Sequence, residues 1–150
     1  MTTFQVPQRM NFGKAAPRVF KAVLALDGAA REGLDPVLVE LVQIRASQIN
    51  RCVYCIDYHA SDARKAGETE ERVYQLSAWE ESSLYTVKER AALALTEAMT
   101  RLPEGVSDAV WDEAAEEFDE RELAQLIALI CTANTWNRLN VTTRKTPGTA

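Results

Sequence analysis

Residues 35–67 read DPVLVELVQIRASQINRCVYCIDYHASDARKAG, and this stretch decides between a helical and a sheet architecture. Asp35-Pro36 supplies an N-cap and a proline suited to the first helical position. Val37, Leu38, Leu41, Val42, Ile44 and Ile49 follow, so a helix is predicted to run to about Gln48. Asn50-Arg51 can turn the chain. A second helix is predicted from Cys52 to Lys65, with Gly67 as its C-terminal stop. The two helices then form an antiparallel hairpin, and Cys52, Cys55 and His59 share one stripe of its second arm.

On the N-terminal side, residues 1–14 show no periodicity and read as an extended arm. Val19, Phe20, Val23, Leu24 and Leu26 recur at helical spacing between about Ala16 and Ala30, ahead of Gly33. On the C-terminal side, Thr69 can cap a short helix carrying Val73 and Leu76, and Ser82-Ser83 reads as a loop. Thr86 and Glu89 have capping-box spacing before an alanine-rich helix that ends ahead of Pro103. Ser107 can cap a helix holding Val110 and Trp111. Asp119 and Glu122 open a last helix with Leu123, Leu126, Ile127, Ile130 and Trp136. Residues 143–150 read as a polar tail. No segment alternates apolar and polar residues between hairpin turns, so the expectation is an all-α bundle of six to seven helices. The C-x-x-C lies at the N-terminus of a central one. A thioredoxin-like sheet around the cysteine pair is excluded on the same ground.

The 150 residues suit one domain spanning 1–150, and 47% hydrophobic with 26% charged residues is the composition of a chain that folds. Acidic residues outnumber basic ones by 22 to 17, with no basic stripe to neutralise phosphates, so no nucleic-acid partner is expected. No apolar run approaches a membrane span and no secretory leader opens the sequence, so no membrane association and a cytoplasmic location are expected. Three cysteines are too few for a secreted disulfide framework. In a reducing compartment a C-x-x-C pair points to redox chemistry or metal.

Thiols in the first turn of a helix gain from its dipole, which favours the nucleophilic thiolate. By that argument Cys52, nearer the terminus, is the better nucleophile; His59, one turn from Cys55, argues for Cys55 instead. Glu40 stands inside the apolar run Val39-Glu40-Leu41-Val42. With a pivot near Asn50, Glu40 and His59 lie about 15 and 13.5 Å along their helices. A carboxylate at that height can orient the imidazole. The alternative is zinc, with Cys52, Cys55 and His59 as ligands and Cys131 as a fourth. Cys131, between Ile130 and Thr132, otherwise reads as a buried small hydrophobe.

The segment Glu40 to His59, with eleven residues before C-x-x-C-x-x-x-H, resembles the core motif of the carboxymuconolactone decarboxylase superfamily, in its alkylhydroperoxidase D-like branch. YTVKERAALALTEAMT (Tyr85 to Thr100) and NTWNRLNVTTR (Asn134 to Arg144) resemble that branch as well. The resemblance implies an all-α fold, a homotrimer or homohexamer, and a thiol peroxidase that needs no cofactor and no resident metal. Carried over, Cys55 is peroxidatic, Cys52 resolving, and Glu40 with His59 forms the proton relay. It also implies a peroxide substrate and a dithiol reductant such as a lipoyl-bearing protein, with a peroxiredoxin as a further partner. The best-characterised members of that branch carry a histidine just before the second cysteine. This chain has Tyr54 there, a candidate auxiliary residue but a poor base near neutral pH.

Two alternative functions remain at this stage. One is a decarboxylase-type enzyme using His59 without the thiols. The other is a zinc-stabilised or disulfide-relay adaptor without peroxidase turnover. Trp79, Trp111 and Trp136 read as core or interface residues. Trp136-Asn137-Arg138 is placed to face the site or to hold the bundle by hydrogen bonds. The acidic run from Asp112 to Glu120 reads as solvated surface, without calcium-loop spacing.

Overall fold

The Asp35 carboxylate accepts the backbone N–H groups of Val37 (2.8 Å) and Leu38 (3.1 Å), and Pro36 takes the first helical position. Together they start the helix around which the rest is built. In the computed structural model, which describes residues 1–149, eight α-helices follow one another with no strand among the described residues. They are α1 (Phe12–Ala15), α2 (Pro17–Arg31), α3 (Pro36–Ile49), α4 (Val53–Lys65), α5 (Glu70–Gln75), α6 (Val87–Thr100), α7 (Asp108–Glu117) and α8 (Glu120–Thr143). Short 3₁₀ segments, Leu76–Glu81 and Leu102–Glu104, follow α5 and α6.

Every residue of α3 from Leu38 to Ser47 is buried, because its faces feed two cores. Leu38, Val39 and Val42 pack with Leu95, Leu126 and Ile130. Leu41 and Ile44 pack with Leu76, Trp79 and Leu93. A helix buried on every face belongs in the middle of a bundle, and each of these buried apolar side chains contributes about 1.5–3 kcal/mol. The capping boxes at Thr86/Glu89 and Asp119/Glu122 are both formed, with side chain and backbone reciprocally bonded. Among the described residues no helix is long and apolar enough to cross a membrane.

Three expectations need correction. The arm is not extended throughout, because Asn11 Oδ1 accepts the Lys14 N–H at 3.0 Å and nucleates α1. This single turn is also why the helices number eight. The arm is tied down further along, where Arg9 N–H donates to the Thr143 carbonyl at 2.8 Å. The polar tail starts one residue late, since Thr143 still belongs to α8 and is buried. Cys131 is exposed rather than buried. The inward stripe of α8 is Leu126, Leu129, Ile130 and Ala133, and residue 131 is turned about 100° from Ile130.

The hairpin turn between α3 and α4 is held from α8. Asn50 Nδ2 donates to Asn137 Oδ1 (2.8 Å) and Asn134 Oδ1 (2.9 Å), while Asn137 Nδ2 donates to Ser47 Oγ (2.9 Å). Arg51 takes a left-handed conformation, φ 57°, which reverses the chain in two residues. Cys52 N–H then donates to the Ser47 carbonyl at 2.9 Å. The buried polar side chains of this turn are thus mutually satisfied, as an enclosed turn requires.

Candidate functional site

Cys52 is the N-cap of α4, its sulfur accepting the Cys55 N–H at 3.3 Å. Cys55 lies in the first turn, and the two sulfurs are joined as a disulfide with Cα atoms 5.3 Å apart. One turn on, His59 is buried and its Nδ1 lies 2.7 Å from Glu40 Oε2 on α3. The hairpin therefore brings together all four residues that the sequence singled out. A carboxylate accepting the Nδ1 proton fixes the tautomer and leaves Nε2 as the nitrogen available for chemistry.

The same carboxylate has a second partner from outside the motif. Arg31 on α2 donates to Glu40 Oε1 at 3.0 Å and to Asp27 Oδ2 at 2.9 Å. Asp27 in turn accepts Gln43 Nε2 at 3.3 Å. Burial alone would lower the Arg31 pKa, but Asp27 and Glu40 outweigh it and raise the value above that of a free guanidinium. Arg31 is therefore a permanent cation that holds Glu40 from the side opposite His59.

A cavity of about 340 Å³ opens over this arrangement, lined by Cys55 and His59 but not by Cys52. Tyr54 and Tyr58 form one wall, stacked with ring centres 6.0 Å apart. Phe20 and Trp136 form the other, edge to face at 5.5 Å. Asn140 on α8 points its Nδ2 at the Cys55 sulfur, 3.4 Å away. Burial, with the Asp62 and Tyr54 fields behind it, raises the Tyr58 pKa, so this phenol stays protonated and is a donor rather than a base.

Tyr54 stands beside Cys55 in the cavity wall, with the Lys145 ammonium 4.6 Å above its ring. Trp136 does face the site, whereas Asn137 serves the hairpin turn and Arg138 bonds back to Asn134 of its own helix. Trp79 belongs to the second core and donates to Glu97 at 2.9 Å. Among the described residues no three His, Cys, Asp or Glu side chains are grouped to hold a metal ion. Sequence reasoning missed Asp27, Arg31, Asn140 and Lys145. The i, i+4 spacing of Asp27 and Arg31 was a visible ion-pair signal, but nothing local marks Asn140, which is 85 residues from its sulfur partner.

Fold and site together define a class: a helical-hairpin dithiol protein whose paired cysteines cap one arm and whose carboxylate-held histidine joins the two arms. Residues 17–98 match the sequence profile of the carboxymuconolactone decarboxylase family, and the chain belongs to that family, in its alkylhydroperoxidase D-like branch. It is 38% identical to the uncharacterized protein YdfG of Bacillus subtilis over 136 residues, 89% of this chain and 92% of that one. The uncharacterized protein YnjA of Escherichia coli is 33% identical over 110 residues, which is 73% of this chain but 60% of YnjA. A crystal structure from Agrobacterium tumefaciens superposes with a TM-score of 0.91 at 35% identity, covering 95% of this chain and all of the other. That protein is of unknown function, provisionally described as an antioxidant defence protein AhpD.

Proposed function

We propose that the protein is a thiol peroxidase that reduces organic hydroperoxides or hydrogen peroxide through a dithiol–disulfide cycle of Cys52 and Cys55. The observation that carries this reading is that the cavity is lined by Cys55 and His59 but not by Cys52. The helix dipole alone would name Cys52, but access to the cavity and the nearness of His59 support Cys55 as the attacking sulfur.

In the reduced protein His59 Nε2 takes the Cys55 proton, with Glu40 holding the ring by Nδ1. The thiolate attacks one peroxide oxygen and the O–O bond breaks. Cys55 becomes a sulfenic acid, and the alkoxide leaves as an alcohol with a proton returned from His59. The Cys52 sulfur then attacks the sulfenic sulfur; a disulfide forms and water leaves. An external dithiol, such as a lipoyl-bearing protein, passes two electrons to the disulfide and is itself oxidised. The Asn140 amide stands where it can donate to the Cys55 thiolate. Tyr54 serves as cavity wall in this scheme. The apolar side chains that α2 leaves exposed, Val19 and Leu26 among them, are suited to burial in a homotrimer or homohexamer.

Single-cysteine variants test the reading. With one equivalent of peroxide, Cys52→Ser is expected to accumulate a sulfenic acid at residue 55, trapped by dimedone and located by mass spectrometry. Cys55→Ser is expected to stay reduced at Cys52. Peroxide turnover by Cys55→Ser at the wild-type rate would overturn the assignment.

A further inference from the structure

The carboxylates around the cavity are each matched by a cation. Asp27 and Glu40 share Arg31, and Asp62 takes Lys65 at 3.0 Å. Lys145 is different. It lines the cavity just beyond the end of α8, half-buried, and among the described residues no carboxylate lies within 4 Å of its ammonium. Its ammonium sits over the face of Tyr54, which tolerates a second, anionic partner on the ammonium.

Beneath Lys145 the cavity is a slot between aromatic walls. Its size, about 340 Å³, is at the small end of ligand pockets, too roomy for hydrogen peroxide and matched to a molecule of one ring or a short branched chain. Cys55, almost fully buried, and the half-buried Lys145 both line the slot. A ligand spanning the two would present its reactive group to the sulfur and its other end to a cation.

We propose that this slot is a binding site for small organic carboxylates with an aromatic or branched apolar body, held by Lys145. Resting on the thiol peroxidase reading, the preferred substrate is accordingly a hydroperoxide that carries a carboxylate at the end remote from the O–O bond. Lys145 sets specificity by pairing with that carboxylate, and the Phe20–Trp136 and Tyr54–Tyr58 walls take the apolar body.

Binding and turnover are measured separately. Calorimetric titration of the disulfide form with 4-isopropylbenzoate, which cannot react, is expected to show one site per chain. Lys145→Gln should weaken it about fivefold, the worth of one partly exposed ion pair, Lys145→Glu should weaken it more, and added salt should narrow the difference. Absence of saturable binding, or equal binding by the three proteins, overturns the site. In single-turnover oxidation of the reduced protein, the 4-carboxylate of cumene hydroperoxide should outpace cumene hydroperoxide itself. That ratio should fall about fivefold in Lys145→Gln. Binding that depends on Lys145 without oxidation by any peroxide would overturn the peroxidase reading and leave the carboxylate site standing. Oxidation with an unchanged ratio would overturn the proposed specificity and leave the peroxidase reading standing.

Discussion

His59 Nδ1 and Glu40 Oε2 meet at 2.7 Å across the α3–α4 hairpin, and the other oxygen of the same carboxylate is taken by Arg31 at 3.0 Å. At 6% and 7% exposure for His59 and Glu40, water cannot readily replace either contact. The imidazole is thereby fixed in tautomer and in direction.

Removing the base should cost more than removing its orienter. His59→Gln is expected to slow peroxide oxidation of the reduced protein by about 100-fold, the usual worth of a general base. Glu40→Gln keeps the size but can turn its amide toward Nδ1, and about 10-fold is expected for a lost orienting partner. Stopped-flow rates across a pH series check both, and the slope of rate on pH should flatten in His59→Gln.

Asn140 touches the sulfur itself. Replacing it by Ala removes one hydrogen bond to the thiolate and should slow oxidation at neutral pH about fivefold. Asn140→Asp, of the same shape, puts a negative charge beside the sulfur and should be slower than Asn140→Ala. Thiolate absorbance against pH should place the Cys55 titration higher in both variants than in the wild type.

Away from the site, Arg72 donates to Glu89 at 2.6 and 3.1 Å and to Glu68 at 2.8 and 3.1 Å, joining α5 to the start of α6. Burial would push the Glu89 pKa up, but the hydrogen bonds from Arg72 and Thr86 outweigh it and the value is lowered. A carboxyl that is more acidic folded than unfolded stabilises the fold above its unfolded pKa. That contribution is lost as pH falls through the folded value. Stability should therefore decline as pH falls through and below the ordinary carboxylate value of 4.5. Glu89→Gln should be less stable by about 1–3 kcal/mol at neutral pH, with a shallower acid decline in urea titrations.

Much of this was legible in the sequence because the signals were local. Asp35-Pro36, Thr86/Glu89 and Asp119/Glu122 are caps whose partners lie within three residues, and all three formed. The Glu40–His59 contact was readable because both residues lie within one hairpin, where helix rise alone fixes their heights. The Arg31–Glu40 contact and the places of Asn140 and Lys145 were not readable, since each of these residues reaches the site from a helix or tail whose packing angle no local pattern encodes. Cys131 misled because its neighbours Ile130 and Thr132 are buried, and a helix can turn one residue outward between two that face in. Asn11 was overlooked as a cap because a single helical turn leaves too few residues to show a period.

The central claim is tested most directly by mixing the fully reduced protein with cumene hydroperoxide in a stopped-flow instrument and then mass-mapping its thiols. The account predicts a fast single phase that ends in an internal Cys52–Cys55 disulfide, with Cys131 unchanged and the reduced pair restored by dihydrolipoamide. Thiols at positions 52 and 55 that stay reduced in excess peroxide, or that oxidise no faster than Cys131, would contradict it.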